Sequence, residues 1–393
     1  MTPTVLINAG PWLTVPPVGY GGIENVLATL IPQLRRRGVR VVLATVGQST
    51  LDVDERITAF DEPQFAHIAE PYNDVVGVAA AHLQRVVAEL RSRSDIDLVH
   101  DHMEVMGPSV LTAMGADRPR VLHTLHWDLT KHRALYGGFG PHAHFYVNGV
   151  SASQLRFAPE ALRRHSVGHV HLATPLAQDA TRRATPAKGN HLVLVARINR
   201  RKGQHVAARL AQRCGWELVL AGPIGPFAGP EELAAERNAD RYADVRYWRE
   251  EVAPFVDGDR VRWIGNVEGV ERDHLVATAR ATLFPVCWDE PGGTAVTESL
   301  ALGTPVVGYR RGCLPELVER GTGFLAEYGD EAALTELVSC VDDLDPAQCR
   351  ATAERRFAPD VMAAAYLELY ERCITGATAG PRPKAYACGW VAG

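Results

Sequence analysis

The stretch LFPVCWDEPGGTAVTESLALGTPVVGY, at residues 283–309, constrains the fold of this chain more than any other. Its apolar start predicts a strand that ends near residue 286, and a Pro-Gly-Gly loop follows at 291–293. Helical spacing of apolar residues then predicts a helix over 294–302, which a Gly-Thr-Pro turn ends before a second strand. A strand, a loop, a helix and another strand form a βαβ unit, so the stretch predicts a layered α/β fold.

The loop and the helix start in this stretch form a predicted anion site. Gly292 and Gly293 have no Cβ, so the backbone can approach a ligand closely there. A helix that begins at Thr294 presents unpaired N–H groups and a partial positive charge of about half a unit, which favour phosphate. Glu290 precedes the loop and Glu298 lies in the helix, and their carboxylates can accept hydrogen bonds from hydroxyl groups. Phosphate together with hydroxyl groups indicates a sugar nucleotide.

The two carboxylates admit a second interpretation, the acid and nucleophile of a glycosidase. Such pairs lie about 5–5.5 Å apart in retaining enzymes and about 6.5–9.5 Å apart in inverting ones. Eight residues of helix span about 12 Å, and no strand geometry places Glu290 and Glu298 face to face. Separate roles fit better: Glu290 would hold the sugar hydroxyls, and Glu298, in an otherwise apolar helix, would hold the ribose. A salt bridge is the structural alternative for Glu298.

A basic loop, RINRRKG at 197–203, follows a predicted strand over 191–196. Arg197 can clamp phosphate oxygens with two hydrogen bonds, and Lys202 adds a point charge. A diphosphate leaving group needs this kind of charge stabilisation. The loop alone is more typical of a solvated surface, but the two-domain context and the anion site at Thr294 favour the functional interpretation. The next predicted strand ends at Gly222, a further candidate on the donor side.

The N-terminal region repeats the strand–loop–helix–strand order. Apolar strands are predicted at 4–8 and 39–45, with a helix over 23–37 between them. The intervening glycine loop contains Gly21 and Gly22, at the end of a strand and the start of a helix, where phosphates bind. The loop lacks the GxGxxG pattern, so these glycines are also compatible with a simple turn.

Alternation of strands and helices continues through the chain of 393 residues and predicts two facing doubly wound domains. A polar segment near 176–190 reads as a linker. We therefore expect one domain at 1–180 and a second at 188–358. A last helix at 359–375 and a tail at 376–393 complete the division.

Histidines mark the ends of several predicted strands. His126 lies just past one strand end, where open α/β sheets bind ligands, and local hydrogen bonding is the alternative. His-x-His pairs occur at 100/102, 142/144 and 169/171, and on a strand each pair shares one face. No third ligand of suitable spacing accompanies any pair, so the sequence predicts no metal site.

Bulk properties exclude several classes of partner. A net charge of −5 argues against nucleic acid, and no apolar run approaches the ~18 residues of a membrane span. The N-terminus has no basic region, so it is expected to be a first strand and not a signal peptide. Seven cysteines without a CxxC spacing indicate reduced thiols in a cytoplasmic protein. Assembly as a homodimer is left open.

These motifs resemble those of glycosyltransferase family 4, a large family of retaining enzymes with the GT-B fold. The resemblance covers nearly the whole chain, and the last of its motifs is the most specific. The motifs are VPPVGYGGIEN (15–25), DLVHDH (97–102), TLHWD (124–128), VARINRRKG (195–203) and EPGGTAVTESLALGTPVVG (290–308).

The resemblance implies a role for each matching residue. Arg197 and Lys202 would bind the diphosphate, and His126 would approach the transferred sugar. Glu290 and the 292–294 backbone would bind the sugar and phosphate, Glu298 the ribose, and Gly21 and Gly22 the donor phosphate or the acceptor. By analogy, the acceptor would lie on the first domain, and the last helix would cross back onto that domain. The predicted acceptor residues are Tyr20, Trp127 and Tyr136.

The resemblance also implies a reaction. The family needs no divalent metal and no other cofactor, and is thought to substitute on one face of the sugar, the leaving phosphate taking the acceptor's proton. The family often has Phe where Gly292 stands, which predicts a roomier sugar pocket here. The PPxGYGGI and EPGGTxVxE variants look like members that decorate secondary metabolites in actinomycetes.

The sequence thus predicts a retaining, metal-independent hexosyltransferase. It would use a UDP- or GDP-linked sugar and a small-molecule or glycoside acceptor. The alternatives are a sugar-nucleotide 2-epimerase and a catalytically silent sugar-nucleotide-binding protein on the same fold.

Overall fold

The computed structural model describes residues 3–19, 21–115, 119–179 and 186–376. Three predictions therefore lie wholly or partly outside the described residues: the role of Tyr20, the middle of the linker at 180–185, and the tail from 377 onwards. Among the helices of the described residues, none combines the length and the apolar character that crossing a lipid bilayer requires.

The N-terminal half contains a sheet of seven parallel strands in the order β3-β2-β1-β4-β5-β6-β7. Its central strands are apolar and buried because helices cover both faces. The strands are β1 (Thr4–Asn8), β2 (Arg40–Thr45), β3 (Glu55–Thr58), β4 (Leu98–Asp101), β5 (Arg120–Thr124), β6 (Phe145–Gly149) and β7 (Ser166–His169).

Helices α1 and α2 are the longest helices of this half. Each buries an apolar stripe at helical spacing against the sheet, such as Leu27, Leu30 and Leu34 of α1. The helices are α1 (Gly22–Arg36), α2 (Tyr72–Ser92), α3 (Met106–Leu111), α4 (Arg133–Gly137), α5 (Ala152–Arg156) and α6 (Glu160–Arg163).

The C-terminal half contains a second parallel sheet, of six strands in the order β10-β9-β8-β11-β12-β13. Its strands are β8 (Leu192–Val195), β9 (Leu218–Ala221), β10 (Val261–Trp263), β11 (Ala281–Phe284), β12 (Val306–Tyr309) and β13 (Gly323–Ala326). Its helices are α7 (Gln204–Cys214), α8 (Pro230–Ala235), α9 (Ala243–Tyr247), α10 (Gly269–Thr278), α11 (Thr294–Ala301), α12 (Leu314–Leu317), α13 (Glu331–Ser339) and α14 (Pro346–Phe357).

The last helix, α15 (Pro359–Thr375), crosses from the second half back onto the first. Its buried side chains, among them Met362, Tyr366 and Leu369, share one apolar core with β1 and α1. The Tyr370 hydroxyl also lies 2.7 Å from Nδ1 of His100, on β4. The predicted architecture of two facing Rossmann-like units with a returning helix is therefore confirmed.

Each sheet reverses its strand order at one point, and ligands of open α/β sheets bind outside the carboxyl ends of the strands there. In the first sheet the reversal lies between β1 and β4, and in the second between β8 and β11. The loops that leave β8 and β11 contain the basic segment 197–203 and the segment 285–293. The fold thus brings the two predicted donor-binding loops together.

Gly203 determines how closely these two loops approach. Its φ of +75° lies in the left-handed region, and a Cβ at this position would lie 1.9 Å from the carbonyl oxygen of Pro285. The backbone N–H of Cys287 donates to the carbonyl of Arg201 at 2.8 Å, which ties the loops together beside the glycine. A side chain at position 203 would force the loops apart.

We predict that Gly203→Ala destabilises the protein by about 2–4 kcal/mol, because it adds a backbone clash to the cost of a left-handed residue. Urea unfolding measures this change. Gly229→Ala in the same half is the matched control, because its backbone is extended and nothing lies within 4 Å of the added Cβ. Equal stability of the two variants would contradict the proposed close approach.

Candidate functional site

An ion pair between Lys202 and Glu290 lies where the two loops meet. Lys202 ends a short 3₁₀ turn at Arg200–Lys202, and its Nζ lies 2.5 Å from Oε2 of Glu290. Glu290 is only 9% exposed, so its carboxylate would be costly without a partner. The structure therefore brings together two residues that the sequence predicted as separate donor ligands.

Aromatic rings support this pair. The indole Nε1 of Trp288 donates to the same Oε2 of Glu290 at 3.0 Å. Lys202 Nζ lies 5.6 Å from the centre of the Trp288 ring and 6.0 Å from that of Phe284, while the Arg201 guanidinium stacks at 4.8 Å on Trp288. The indole thus holds both charges of the pair in place.

Helix α11 begins directly after this loop. Gly293 is its N-terminal cap with φ +61°, and no side chain caps the helix. A Cβ at Gly293 would lie 2.7 Å from Leu317 and 2.8 Å from Cys313, so only glycine fits. Thr294, the first helical residue, is exposed. The helix N-terminus is therefore accessible, as the predicted phosphate site requires.

Glu298 pairs with a cation on the neighbouring helix. Its Oε2 lies 3.4 Å from Nη1 of Arg272 on α10, and burial raises the pKa of the carboxyl group even though Arg272 opposes the shift. Glu268 directly precedes α10, and a Cβ at Gly19 in the N-terminal half would lie 4.0 Å from Oε1 of Glu268. Gly19 thus lies near the start of α10, and the ribose role of Glu298 stays a prediction.

Two other predicted donor residues occupy different environments. Arg197 is exposed, and its Nη2 lies 3.9 Å from Oδ2 of Asp244, so its guanidinium remains accessible to a ligand. Gly222 has φ +142°, and a Cβ there would lie 2.1 Å from the carbonyl oxygen of Ala196. Gly222 is therefore required for the close packing of two strand ends, and its donor role stays a prediction.

Glycines 21 and 22 cap and begin α1. A Cβ at Gly21 would lie 2.5 Å from Pro17, whereas Gly22 is exposed with nothing within 4 Å of an added Cβ. Beneath them Glu24 is buried, and burial raises the pKa of its carboxyl group. Gly22 is thus the member of the pair with open space for a ligand.

On the opposite side of the cleft, Glu104 holds the His126 loop. Its Oε1 accepts the backbone N–H groups of His126 at 2.6 Å and Trp127 at 2.9 Å, and its Oε2 accepts the Tyr136 hydroxyl at 2.6 Å. Tyr136 is fully buried and would reach an acceptor only through Glu104, whereas Trp127 is 41% exposed. Of the two described acceptor candidates, only Trp127 can contact a ligand directly.

The His126 ring is neutral near pH 7. Burial lowers its pKa to about 4, and the Glu104 charge opposes this shift only in part. Its Nε2 lies 2.9 Å from Nδ1 of His102, so one of these two nitrogens donates and the other accepts. Hence His126 can offer a ligand hydrogen bonding but no permanent charge.

Glu104 also belongs to a buried acid–base cluster with His123 and Asp101. His123 Nδ1 lies 2.6 Å from Oδ2 of Asp101, and its Nε2 lies 3.6 Å from Oε2 of Glu104. Burial alone would lower the pKa of His123, but the two carboxylates raise it to about 9. Conversely, burial would raise the pKa of Glu104, and His123 and Tyr136 instead lower it to about 2. His123 and Glu104 are therefore a buried pair of opposite charges at neutral pH.

Backbone strain occurs beside this cluster. Val105 has φ +66° and ψ −65°, and the N–H of Met106 donates to the carbonyl of Glu104 at 2.7 Å, which closes a three-residue γ-turn. A β-branched residue rarely adopts this conformation, and such strain persists where the surroundings require it. The turn aims the Glu104 side chain at the His126 loop.

Polar contacts connect the two halves across the cleft. Nη1 of Arg201 lies 3.5 Å from Oδ2 of Asp128, two residues after His126. Glu316, on α12, accepts the backbone N–H groups of Ala152 at 2.8 Å and Ser153 at 2.7 Å, at the start of α5. These contacts place the His126 loop opposite the Lys202 loop.

Gly292 lies at a close contact between the two halves. A Cβ there would lie 2.7 Å from Cδ1 of Leu172 and 3.5 Å from Cγ2 of Val150, both in the N-terminal half. The prediction of a roomier pocket at this position is wrong, because Leu172 fills the space that a side chain would take.

Sequence reasoning missed three residues of the site. Glu104 and Asp128 both follow strand ends, and this position could have indicated them as site residues. Asp128 also lies inside the TLHWD motif. Glu316 acts 145 residues away from its partner His171, so no sequence spacing indicates it.

This geometry defines a class of protein: two facing Rossmann-like sheets with a cation–carboxylate pair and a free helix N-terminus in the cleft between them. The chain belongs to the GT-B glycosyltransferases. Residues 178–350 match the family described as glycosyl transferases group 1, and residues 20–158 match glycosyltransferase family 4.

Individual relatives agree with this assignment. D-inositol 3-phosphate glycosyltransferase of Corynebacterium efficiens is 27% identical over 239 residues, which cover 55% of this chain and 51% of the relative. The chain thus matches about half the length of that curated relative. AviGT4, a glycosyltransferase involved in avilamycin A biosynthesis, is 26% identical with a TM-score of 0.63, over 95% of this chain and 98% of its own.

Other solved structures share the fold alone. Sucrose-phosphate synthase from Thermosynechococcus elongatus superposes with a TM-score of 0.67 at 19% identity, over 95% of this chain and all of its own. Anabaena HepE in complex with UDP-glucose gives 0.61 at 16% identity, over 94% of this chain and 99% of its own.

We predict that Glu104→Gln lowers the free energy of unfolding by about 3 kcal/mol at pH 6, because it breaks a buried charge pair. Because the pKa of His123 is raised in the fold, protonated His123 stabilises the folded state. This contribution is fully present below about pH 6.5 and is lost as the pH rises through about 9. The loss caused by the variant should therefore shrink toward pH 9.

Urea unfolding at pH 6 and pH 9 measures both effects. Glu160→Gln is the control, since Glu160 is a surface residue of α6 and should change stability by less than about 0.5 kcal/mol. A pH-independent effect of Glu104→Gln would contradict a charged His123.

Proposed function

We propose that the protein is a retaining hexosyltransferase that moves a sugar from a nucleoside-diphosphate sugar to a hydroxyl group of a small-molecule or glycoside acceptor. The observation that carries the proposal is the Lys202–Glu290 pair at the reversal point of the C-terminal sheet, beside the uncapped start of α11. A donor with a diphosphate and hydroxyl groups in one molecule satisfies both members of the pair.

The diphosphate would lie against the cations and the N–H groups of this cleft. Lys202 and Arg197 supply cations, and the first N–H groups of α11 supply hydrogen-bond donors. Together they neutralise the charge that develops on the leaving group, so the transfer is proposed to need no divalent metal. Glu290 then turns from Lys202 toward the sugar hydroxyls, and Glu298 together with Arg272 faces the ribose.

The reaction would proceed on one face of the sugar. The bond between the anomeric carbon and the diphosphate oxygen breaks, the acceptor oxygen bonds to the same face of that carbon, and the acceptor's proton passes to the departing phosphate oxygen. Neutral His126 positions the sugar by hydrogen bonding, and it is held by Glu104.

The acceptor would bind beside the exposed Trp127 ring. An aromatic face suits the apolar side of a sugar or a cyclic polyol. AviGT4 is involved in avilamycin A biosynthesis, and the curated relative is a D-inositol 3-phosphate glycosyltransferase. Both names support a polyhydroxylated small molecule, and the first supports a natural product.

A panel of UDP- and GDP-sugars, incubated with the protein in EDTA, tests this function. We expect slow release of the free nucleoside diphosphate from one donor, faster release with an acceptor, and retention of the anomeric configuration in the product by NMR. Interconversion of sugar nucleotides without release would instead show an epimerase, and tight binding without turnover would show a binding protein. Complete loss of release in EDTA would contradict metal-independent transfer.

We predict that Lys202→Ala and Glu290→Gln each lower donor turnover at least about tenfold, equivalent to about 1.4 kcal/mol of transition-state stabilisation. Arg213→Ala is the control: it removes a cation of the same half whose guanidinium lies 3.8 Å from Glu331 and away from the cleft loops. Thermal unfolding checks that each variant folds. Near-normal turnover in both site variants would refute the site.

A further inference from the structure

Two histidines and a glutamate converge at the interface between the two halves. His169 ends β7 and His171 follows two residues later, so the two rings lie on one side of an extended segment. Glu316 comes from α12 in the other half. The candidate ligand atoms of these three side chains all lie within 4.8 Å of one another.

The distances suit a metal ion better than a hydrogen-bonded cluster alone. Oε2 of Glu316 lies 3.1 Å from Nε2 of His171 and 3.9 Å from Nε2 of His169. The second distance is too long for a hydrogen bond, and among the described residues the His169 ring makes none. Ligand atoms around a tetrahedral zinc ion lie about 3.4 Å apart, from bonds of about 2.0–2.1 Å. Small rotations of the two rings would reach that geometry.

The chemistry of the set favours the same ligand. Two imidazoles and one carboxylate are a common protein ligand set for Zn²⁺, with water in the fourth position. The Glu316 oxygens also accept two backbone N–H groups, which orient the carboxylate and leave lone pairs for a cation.

We propose that His169, His171 and Glu316 form a Zn²⁺ site that joins the two halves of the molecule. The ligands come from both halves, so the ion binds only when the halves face each other as they do here. The site lies at the interface, so a bound ion would fix the arrangement of the halves. The proposal is independent of the reaction proposed above.

Calorimetric titration of the untagged full-length chain with ZnCl₂, after EDTA treatment and desalting, tests the site. We expect one Zn²⁺ per chain, and no comparable binding of Mg²⁺ or Ca²⁺, because nitrogen ligands disfavour these hard cations. His169→Ala, His171→Asn and Glu316→Gln should each weaken the affinity at least about tenfold. His142→Ala, in a different His-x-His pair, is the matched control and should bind as the unaltered chain does.

Each outcome decides the proposal. It is supported if the affinity depends on both the histidines and Glu316. It is overturned if the unaltered chain binds no Zn²⁺. It is also overturned if His169→Ala binds Zn²⁺ equally well, because the ion would then lie elsewhere. If Glu316→Gln alone is without effect, the ligands come from one half only, and the proposal is overturned too. His169 is partly exposed, so His169→Ala decides the question even if the other two variants fail to fold.

Discussion

The ion pair of Lys202 with Glu290 is the interaction on which the donor side of the cleft depends. The pair forms because Gly203 lets one loop pass against the carbonyl of Pro285. The contact between the two charges therefore depends on this backbone contact. A buried pair of this kind is strongly destabilised when one partner is removed. In the proposed reaction, a donor that engages Lys202 must therefore also satisfy Glu290, and a molecule that carries a phosphate and a hydroxyl group at a suitable spacing can do both.

The opposite wall depends on a carboxylate as well. Glu104 holds two backbone N–H groups and a tyrosine hydroxyl, and His123 balances its charge from inside the sheet. The strained turn at Val105 directs this side chain. Glu104 fixes the backbone of His126, so the neutral His126 ring can bind a ligand without reorganisation. Preorganised hydrogen bonding in an active site requires such a fixed group.

Much of the fold could be predicted because its signals are local. The helix from Gln204 to Cys214 and the strand at 4–8 have periodic apolar residues with clear ends, and the structure places both as predicted. The strand at 55–58, with the sequence ERIT, was not predicted because it is short, charged and at a sheet edge. The places of the candidate donor residues Arg197, Lys202 and Glu290 could be predicted for the same reason, since each lies in a loop that follows a recognisable strand. Glu316 could not, because its contacts depend on how the two halves meet.

The two halves are joined by contacts of unequal strength. On the side of α15, tyrosines and aliphatic side chains are buried in one core with β1 and α1, and each fully buried apolar side chain contributes about 1.5–3 kcal/mol. On the cleft side, the Arg201–Asp128 pair is partly exposed, and pairs of this kind contribute about 0–1 kcal/mol. The Arg201–Asp128 pair therefore costs far less to break than the apolar contacts of α15. Opening for a ligand would separate the polar contacts first, while α15 continues to hold the halves together.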